Sequence, residues 1–287
     1  MIGERRATYA GVGTRELYVD GAGPTLVLVH GFGHPAPCWR PILERCAAAG
    51  QAAIAVDLPG FGEADPPSPG PFLPQLVTFL RAVVTTHGAG TPVVLVANSL
   101  GASSAVRLLD TESDLPVCGL VALATATDQW TPLMKAGMIR RGRTLAGLAG
   151  LPLPRGILGR GANIVGARLL YGDYRLADAA TVALLTDQLS SRQVRRDLAV
   201  LGGPLMFEVA VVATAHDISY PTVFVHGTRD KLVAVAASKH LHAANPASRL
   251  ELLDGIGHCP HLDAPDRVTA LALELAGAAG GIRTGTV

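Results

Sequence analysis

Val93-Val94-Leu95-Val96-Ala97-Asn98-Ser99-Leu100-Gly101 sets an unbroken apolar run directly against a serine and then a helix-forming segment. Because Val93 to Val96 show no polar alternation, the run reads as a strand buried on both faces, as in a parallel sheet covered by helices. Leu100 to Leu109 is the helix candidate that follows, so Ser99 falls at a strand-to-helix turn. A serine at such a tight turn is held in a strained conformation with its hydroxyl exposed, and small neighbours let strand and helix approach. The usual pattern is G-x-S-x-G; Ala97 stands in the first glycine's place. An ordinary helix N-cap serine fits the same residues, and the motif alone leaves both readings open.

Similar runs lie on either side: Thr25 to His30, Ala52 to Asp57, Leu120 to Ala124, Thr222 to His226 and Arg249 to Leu253. Helix candidates at 42–49, 73–87, 234–244 and about 265–276 separate them. The alternation predicts an α/β fold, a mostly parallel central sheet with helices on both faces. From about Asp128 to Tyr220 the texture changes to Gly, Leu and Arg with no strand-like run. This piece, residues 128–220, reads as a helical insertion on top of the sheet formed by residues 1–127 and 221–287. Its modestly basic charge fits a solvated helical face first and an anionic substrate second.

Composition narrows the function. The 287 residues include 49% hydrophobic and 16% charged, with 24 basic against 23 acidic, so disordered, collagenous and coiled-coil classes are excluded. A net charge of +1 offers no surface for nucleic acid. Gly, Pro or charge interrupts every apolar run before the ~18 residues a membrane span needs. The N-terminus shows neither a signal nor a transit peptide, and a cytoplasmic protein is the default expectation. Cys38, Cys46, Cys118 and Cys259 lie far apart without a CxxC pair and read as buried thiols.

Two further sites carry chemistry. Asp230 lies beyond the run ending at His226, in the loop at a strand's carboxyl end where open α/β sheets put functional groups. His258, in Gly255-Ile256-Gly257-His258, follows the last run. Serine, acid, histidine is the chain order of the α/β-hydrolase triad. His30-Gly31-Phe32-Gly33 resembles that family's HGxG loop, and Asp57-Leu58-Pro59-Gly60-Phe61-Gly62 its DxPGxG loop. On these motifs the chain resembles the α/β-hydrolase fold superfamily, as a capped serine hydrolase of esterase or lipase type, over nearly its whole length.

The resemblance implies Ser99 as nucleophile, His258 as general base, Asp230 as the orienting acid, and the backbone N–H groups of Phe32 and Leu100 as an oxyanion hole. Serine needs an imidazole to take its proton, and the imidazole needs an acid to fix its tautomer, so the residue types agree with the roles. No metal or organic cofactor is required. Asp128, just past the run at 120–124, is the competing acid, and His34 and Trp130 are candidate substrate contacts. Trp39 and Asp57 read as structural, His30 and His226 as loop-shaping, and Gly60 and Gly62 as positive-φ turns. Cys259 reads as packing, and His258 with His261 would be a metal pair lacking a third ligand.

The expected activity is hydrolysis of an ester-like bond in a small, largely apolar substrate, first of all by a carboxylesterase. Thioesterase, lactonase, carbon–carbon bond hydrolase and cofactor-free perhydrolase share the constellation. Epoxide hydrolases and haloalkane dehalogenases have Asp at the elbow where this chain has Ser99. A hydrolase-fold ligand-binding protein with slow or no turnover is the reading from another class.

Overall fold

A computed structural model describes residues 1–139, 166–177, 179, 182–184 and 191–281. Its centre is one sheet of eight strands: β1 (Gly3–Tyr9), β2 (Val12–Val19), β3 (Ala22–Val29), β4 (Gln51–Val56), β5 (Val93–Asn98), β6 (Val117–Leu123), β7 (Thr222–Gly227) and β8 (Arg249–Leu253). Their order is β1-β2-β4-β3-β5-β6-β7-β8. From β4 to β8 every pairing is parallel. The helices are α1 (Arg40–Ala49), α2 (Phe72–His87), α3 (Leu100–Thr111), α4 (Pro132–Ile139), α5 (Arg192–Glu208), α6 (Ala236–Ala244), α7 (Pro260–Asp263) and α8 (Pro265–Gly281).

The apolar runs are continuous because each strand feeds two cores. Alternate residues of β3 and β5, such as Val27, Val29, Leu95 and Ala97, join one cluster with α2, α3 and α6. Leu26, Leu28, Val94 and Val96 point the other way, into a cluster with α1, α8 and Trp39. Each fully buried Leu or Val contributes roughly 1.5–3 kcal/mol, so neither face can be left uncovered.

Two antiparallel strands precede the expected ones. β1 pairs with β2 from Gly3 opposite Tyr18 to Tyr9 opposite Val12, and β2 then pairs antiparallel with β4. The link is Ala10-Gly11, both with positive φ (50° and 81°), the conformation a two-residue hairpin needs.

Between β6 and β7 the described residues add no strand to the sheet. They include α4, a helical turn at 166–170, short 3-10 helices at Tyr174–Leu176 and Val209–Thr214, and α5. The remainder of the expected 128–220 insertion, including residues 140–165 and 185–190, lies outside the described residues. Here one sequence expectation meets an exception. The helical stretch Arg196–Thr214 is 19 residues long and, by length and composition alone, apolar enough to cross a membrane. It runs straight through Gly202-Gly203-Pro204, which interrupt the pattern in sequence. Leu198, Leu201, Leu205, Val209 and Val212 on it pack against the core.

Candidate active site

Ser99 occupies the junction of β5 and α3 with φ 52° and ψ −114°, a left-handed conformation that a non-glycine residue adopts only when its surroundings impose it. Three things impose it. Its N–H donates to the Leu123 carbonyl on β6 (2.8 Å), and its own carbonyl accepts from the Ser103 N–H (2.8 Å) in the first turn of α3. Gly101 lets the helix approach β3: a Cβ there would lie 2.6 Å from the carbonyl oxygens of Val29 and His30. Ala97, in the place of the motif's first glycine, fits fully buried. Ser99 is 8% exposed, and among the described residues its hydroxyl has no hydrogen-bond partner.

Asn98 joins this turn to the His258 loop. Its Nδ2 donates to the carbonyls of Leu123 (3.3 Å) and His258 (3.1 Å). Sequence reasoning missed this anchor, whose signal is a polar residue closing an otherwise apolar strand. Gly31 packs on the same corner, where an added Cβ would lie 3.0 Å from Asn98 Oδ1 and Ser99 Cβ.

His258 and Asp230 are brought together: Nδ1 of the ring lies 2.8 Å from Oδ2 of the carboxylate. Asp230 is held from its other side by the N–H groups of Leu232 (2.8 Å) and Val233 (3.0 Å), both donating to Oδ1. His226 also reaches Oδ2, with Nε2 at 3.2 Å, and its Nδ1 meets Ser238 Oγ at 2.8 Å. His226 therefore touches the acid directly rather than only shaping its loop. Burial alone would raise the Asp230 pKa, but the His258 charge and the bonds from His226 and His258 outweigh it and hold the carboxyl well below its usual range. Asp128, the competing acid, is exposed and accepts from its neighbour Gln129 Nε2 at 3.1 Å.

The HGFG loop is built on Asp57 and His30. Asp57 Oδ1 accepts from Ala36 N–H (2.6 Å), and Oδ2 accepts from Glu63 N–H (2.9 Å) and Arg15 Nε (3.0 Å). Its carboxylate thus ties the loops after β3 and β4 to β2. His30 is fully buried, and its Nε2 accepts from Leu58 N–H at 2.9 Å. Burial first, against the pull of Asp57, keeps this ring's pKa low, matching an acceptor that must stay neutral. Gly60 and Gly62 have φ of 79° and 56°, as expected. Phe32 packs edge-on against Phe61, with centroids 5.3 Å apart. The N–H groups of Phe32 and Leu100 donate to none of the described residues.

Two parts of the insertion reach these loops. A Cβ on Gly202 of α5 would lie 3.3 Å from Phe32 Cζ, and one on Gly60 would lie 3.5 Å from Leu201. Residues 166–172 close on the His258 loop: Cys259 N–H donates to Leu170 O (3.2 Å), and Asp263 accepts from both Gly172 N–H (2.9 Å) and Gly257 N–H (2.7 Å). Trp130 is half-buried, pairs with Val233 in an isolated bridge and packs against the core. His34 is buried, with Nδ1 unpartnered. A groove of about 420 Å³ between α2, α3 and α5, lined by Leu73, Val77, Arg81 and Glu208 among others, includes none of Ser99, Asp230 or His258.

A parallel sheet with helices on both faces, a strained serine after its fifth strand and a histidine–carboxylate pair beyond its last two define an α/β hydrolase architecture. The family model for the alpha/beta hydrolase family matches residues 26–271, and the chain belongs to that family. It is 26% identical over 258 residues to the pimeloyl-[acyl-carrier protein] methyl ester esterase of Xanthomonas axonopodis pv. citri, covering 88% of this chain and 94% of that one. Among solved structures it resembles a bacterial membrane phospholipase A (TM-score 0.79, 15% identity, 97% of this chain and 87% of that one). It also resembles the 2-hydroxy-6-oxo-6-phenylhexa-2,4-dienoate hydrolase of Rhodococcus sp. strain RHA1 (TM-score 0.77, 19% identity, 96% and 98%). At these identities the structural likenesses show the fold.

Proposed function

We propose that the protein is a serine hydrolase that cleaves an ester-like bond in a small, largely apolar substrate, with carboxylesterase activity first. The observation that carries this reading is the 2.8 Å contact of His258 Nδ1 with Asp230, which leaves Nε2 as the ring's free nitrogen, on a loop that Asn98 ties to the Ser99 turn. Ser99 Oγ attacks the carbonyl carbon while His258 Nε2 takes its proton. The developing oxyanion is met by the N–H groups of Phe32 and Leu100, each worth roughly a hundredfold in rate. The tetrahedral intermediate expels the alcohol, which takes the proton back from His258, and water then releases the acid by the same route. Residues 128–220 serve as a cap whose apolar side chains favour an apolar acyl or alcohol group, with Trp130 and His34 as substrate contacts. The esterase relative supports the choice of an ester.

A fluorophosphonate probe and p-nitrophenyl esters of increasing acyl length test this. Labelling and turnover in the wild type that vanish in Ser99→Ala are expected. Folded wild-type protein that neither labels nor turns over would overturn the reading in favour of a ligand-binding protein.

A further inference from the structure

We propose that His34, Cys259 and His261 form a buried copper(I) site joining the loop after β3 to the loop after β8. One donor atom from each lies within 4.8 Å of the other two, and all three residues are buried. Neither ring nitrogen of the fully buried His261 has a hydrogen-bond partner, nor does Nδ1 of His34. Cys259 Sγ has one long contact, 3.9 Å to Asn98 Oδ1. Leaving such buried groups unpaired is costly, and they converge on one place. The spacing His258-x-x-His261 pairs the wrong histidines: His258 is engaged by Asp230, and the fold instead brings His261 to His34 and to a thiol.

The donor set suits a cation with one thiolate ligand. Imidazole binds a metal ion as the neutral ring and cysteine as the thiolate, so the three residues offer one negative charge and two neutral lone pairs. A coordinated thiol is deprotonated outright.

Thiolate and imidazole donors select soft ions, copper(I) and zinc(II) among them. Zinc(II) takes four ligands in structural sites, and here it would leave a buried net charge of +1. Copper(I) with one thiolate and two neutral imidazoles sums to zero, which lowers the desolvation cost. In a trigonal plane, bonds of about 2.0–2.3 Å put donor atoms roughly 3.5–3.8 Å apart, so the widest pair closes by about 1 Å. The binding step exchanges the Cys259 S–H bond for an S–Cu bond and releases the proton to solvent, with no change of oxidation state. Nδ1 of His34 serves as ligand, leaving Nε2 for contact with substrate.

The test uses the full chain under anaerobic conditions, with copper(I) delivered from a competing chelator. One equivalent bound, a near-ultraviolet thiolate-to-copper band and a raised Tm are expected. Cys259→Ser and His261→Gln should lose all three while keeping the wild-type circular dichroism, and Cys118→Ser should retain them. If His261→Gln fails to fold, the near-isosteric Cys259→Ser decides, together with X-ray absorption of the wild type showing two nitrogens and one sulfur. No copper(I) bound, binding that survives Cys259→Ser, zinc(II) bound to the exclusion of copper(I), or a crystal structure with only ordered waters in the cluster would each overturn the assignment. None of these readouts depends on ester hydrolysis.

Discussion

At Ser99 the backbone carries a conformational cost. A positive φ on a residue with a Cβ is worth on the order of 1–3 kcal/mol, and glycine would remove it. Ser99→Gly is therefore expected to melt at a higher temperature than Ser99→Ala, by calorimetry; equal melting would mean the turn is unstrained. Asp230 makes a second residue-scale prediction. Asp230→Asn leaves the shape but cannot favour the His258 tautomer that serves Ser99, and kcat should fall by roughly 10⁴. The same substitution changes the acid limb of stability. The folded carboxyl binds its proton less readily than the unfolded one. Its contribution is thus complete above the ordinary carboxylate range near pH 4 and declines below it by about 1.4 kcal/mol per pH unit. Urea midpoints below pH 4 should fall more steeply for the wild type than for Asp230→Asn. The triad candidates were legible because the chemistry demands their residue types and their chain order matches the family's. Asn98 was not, since the His258 loop it holds is distant in sequence, and the contact of His226 with Asp230, four residues on, depends on how the turn after β7 folds back.

Elements and loops show where a linear reading stops. β3 to β7 announce themselves because their centres are buried on both faces and almost wholly apolar, whereas β8, at the sheet's edge, is only partly buried and carries Arg249 and Glu251. β1 and β2 form an edge hairpin: Arg5 and Arg6 face solvent, and the turn uses Ala10 where Asn-Gly would have been readable. Charge in β1 hides the strand by the same physics that keeps an edge from aggregating. The joint between the 166–172 segment and the His258 loop was equally hidden, since its chemistry is a carboxylate accepting two backbone N–H groups, one of them from Gly172, far away in sequence. Asp263→Ala would leave both donors unpaired, at about 1–3 kcal/mol each, and let the loop carrying His258 shift. A lower Tm and a lower kcat, with KM changed less than kcat, are expected, and Asp263→Asn should recover part of both because one side-chain oxygen remains. If kcat per folded molecule were unchanged in Asp263→Ala, the joint would hold the insertion in place without positioning His258.

One sheet separates two cores, and the loops that carry Ser99, Asp230 and His258 leave its carboxyl edge. Helices on each face therefore stabilise the same strands. Leu43 on α1 and Leu80 on α2 are both fully buried, one in each cluster. Truncating either to alanine should cost about 2–5 kcal/mol. Because the sheet lies between them and they share no partner, the double variant should lose the sum of the two single losses within about 0.5 kcal/mol. Each variant should still unfold in one urea transition, because removing either layer exposes the opposite faces of strands the other layer needs. Two separated transitions in Leu43→Ala or Leu80→Ala, followed by circular dichroism and tryptophan fluorescence together, would show that the faces fold independently. Trp39 reports on the α1 face and Trp130 packs against the α2 face, so selective Trp→Phe variants assign each signal to its layer. Coincident curves from both reporters are the expected result, and they would make Ser99, Asp230 and His258 depend for their geometry on both cores at once.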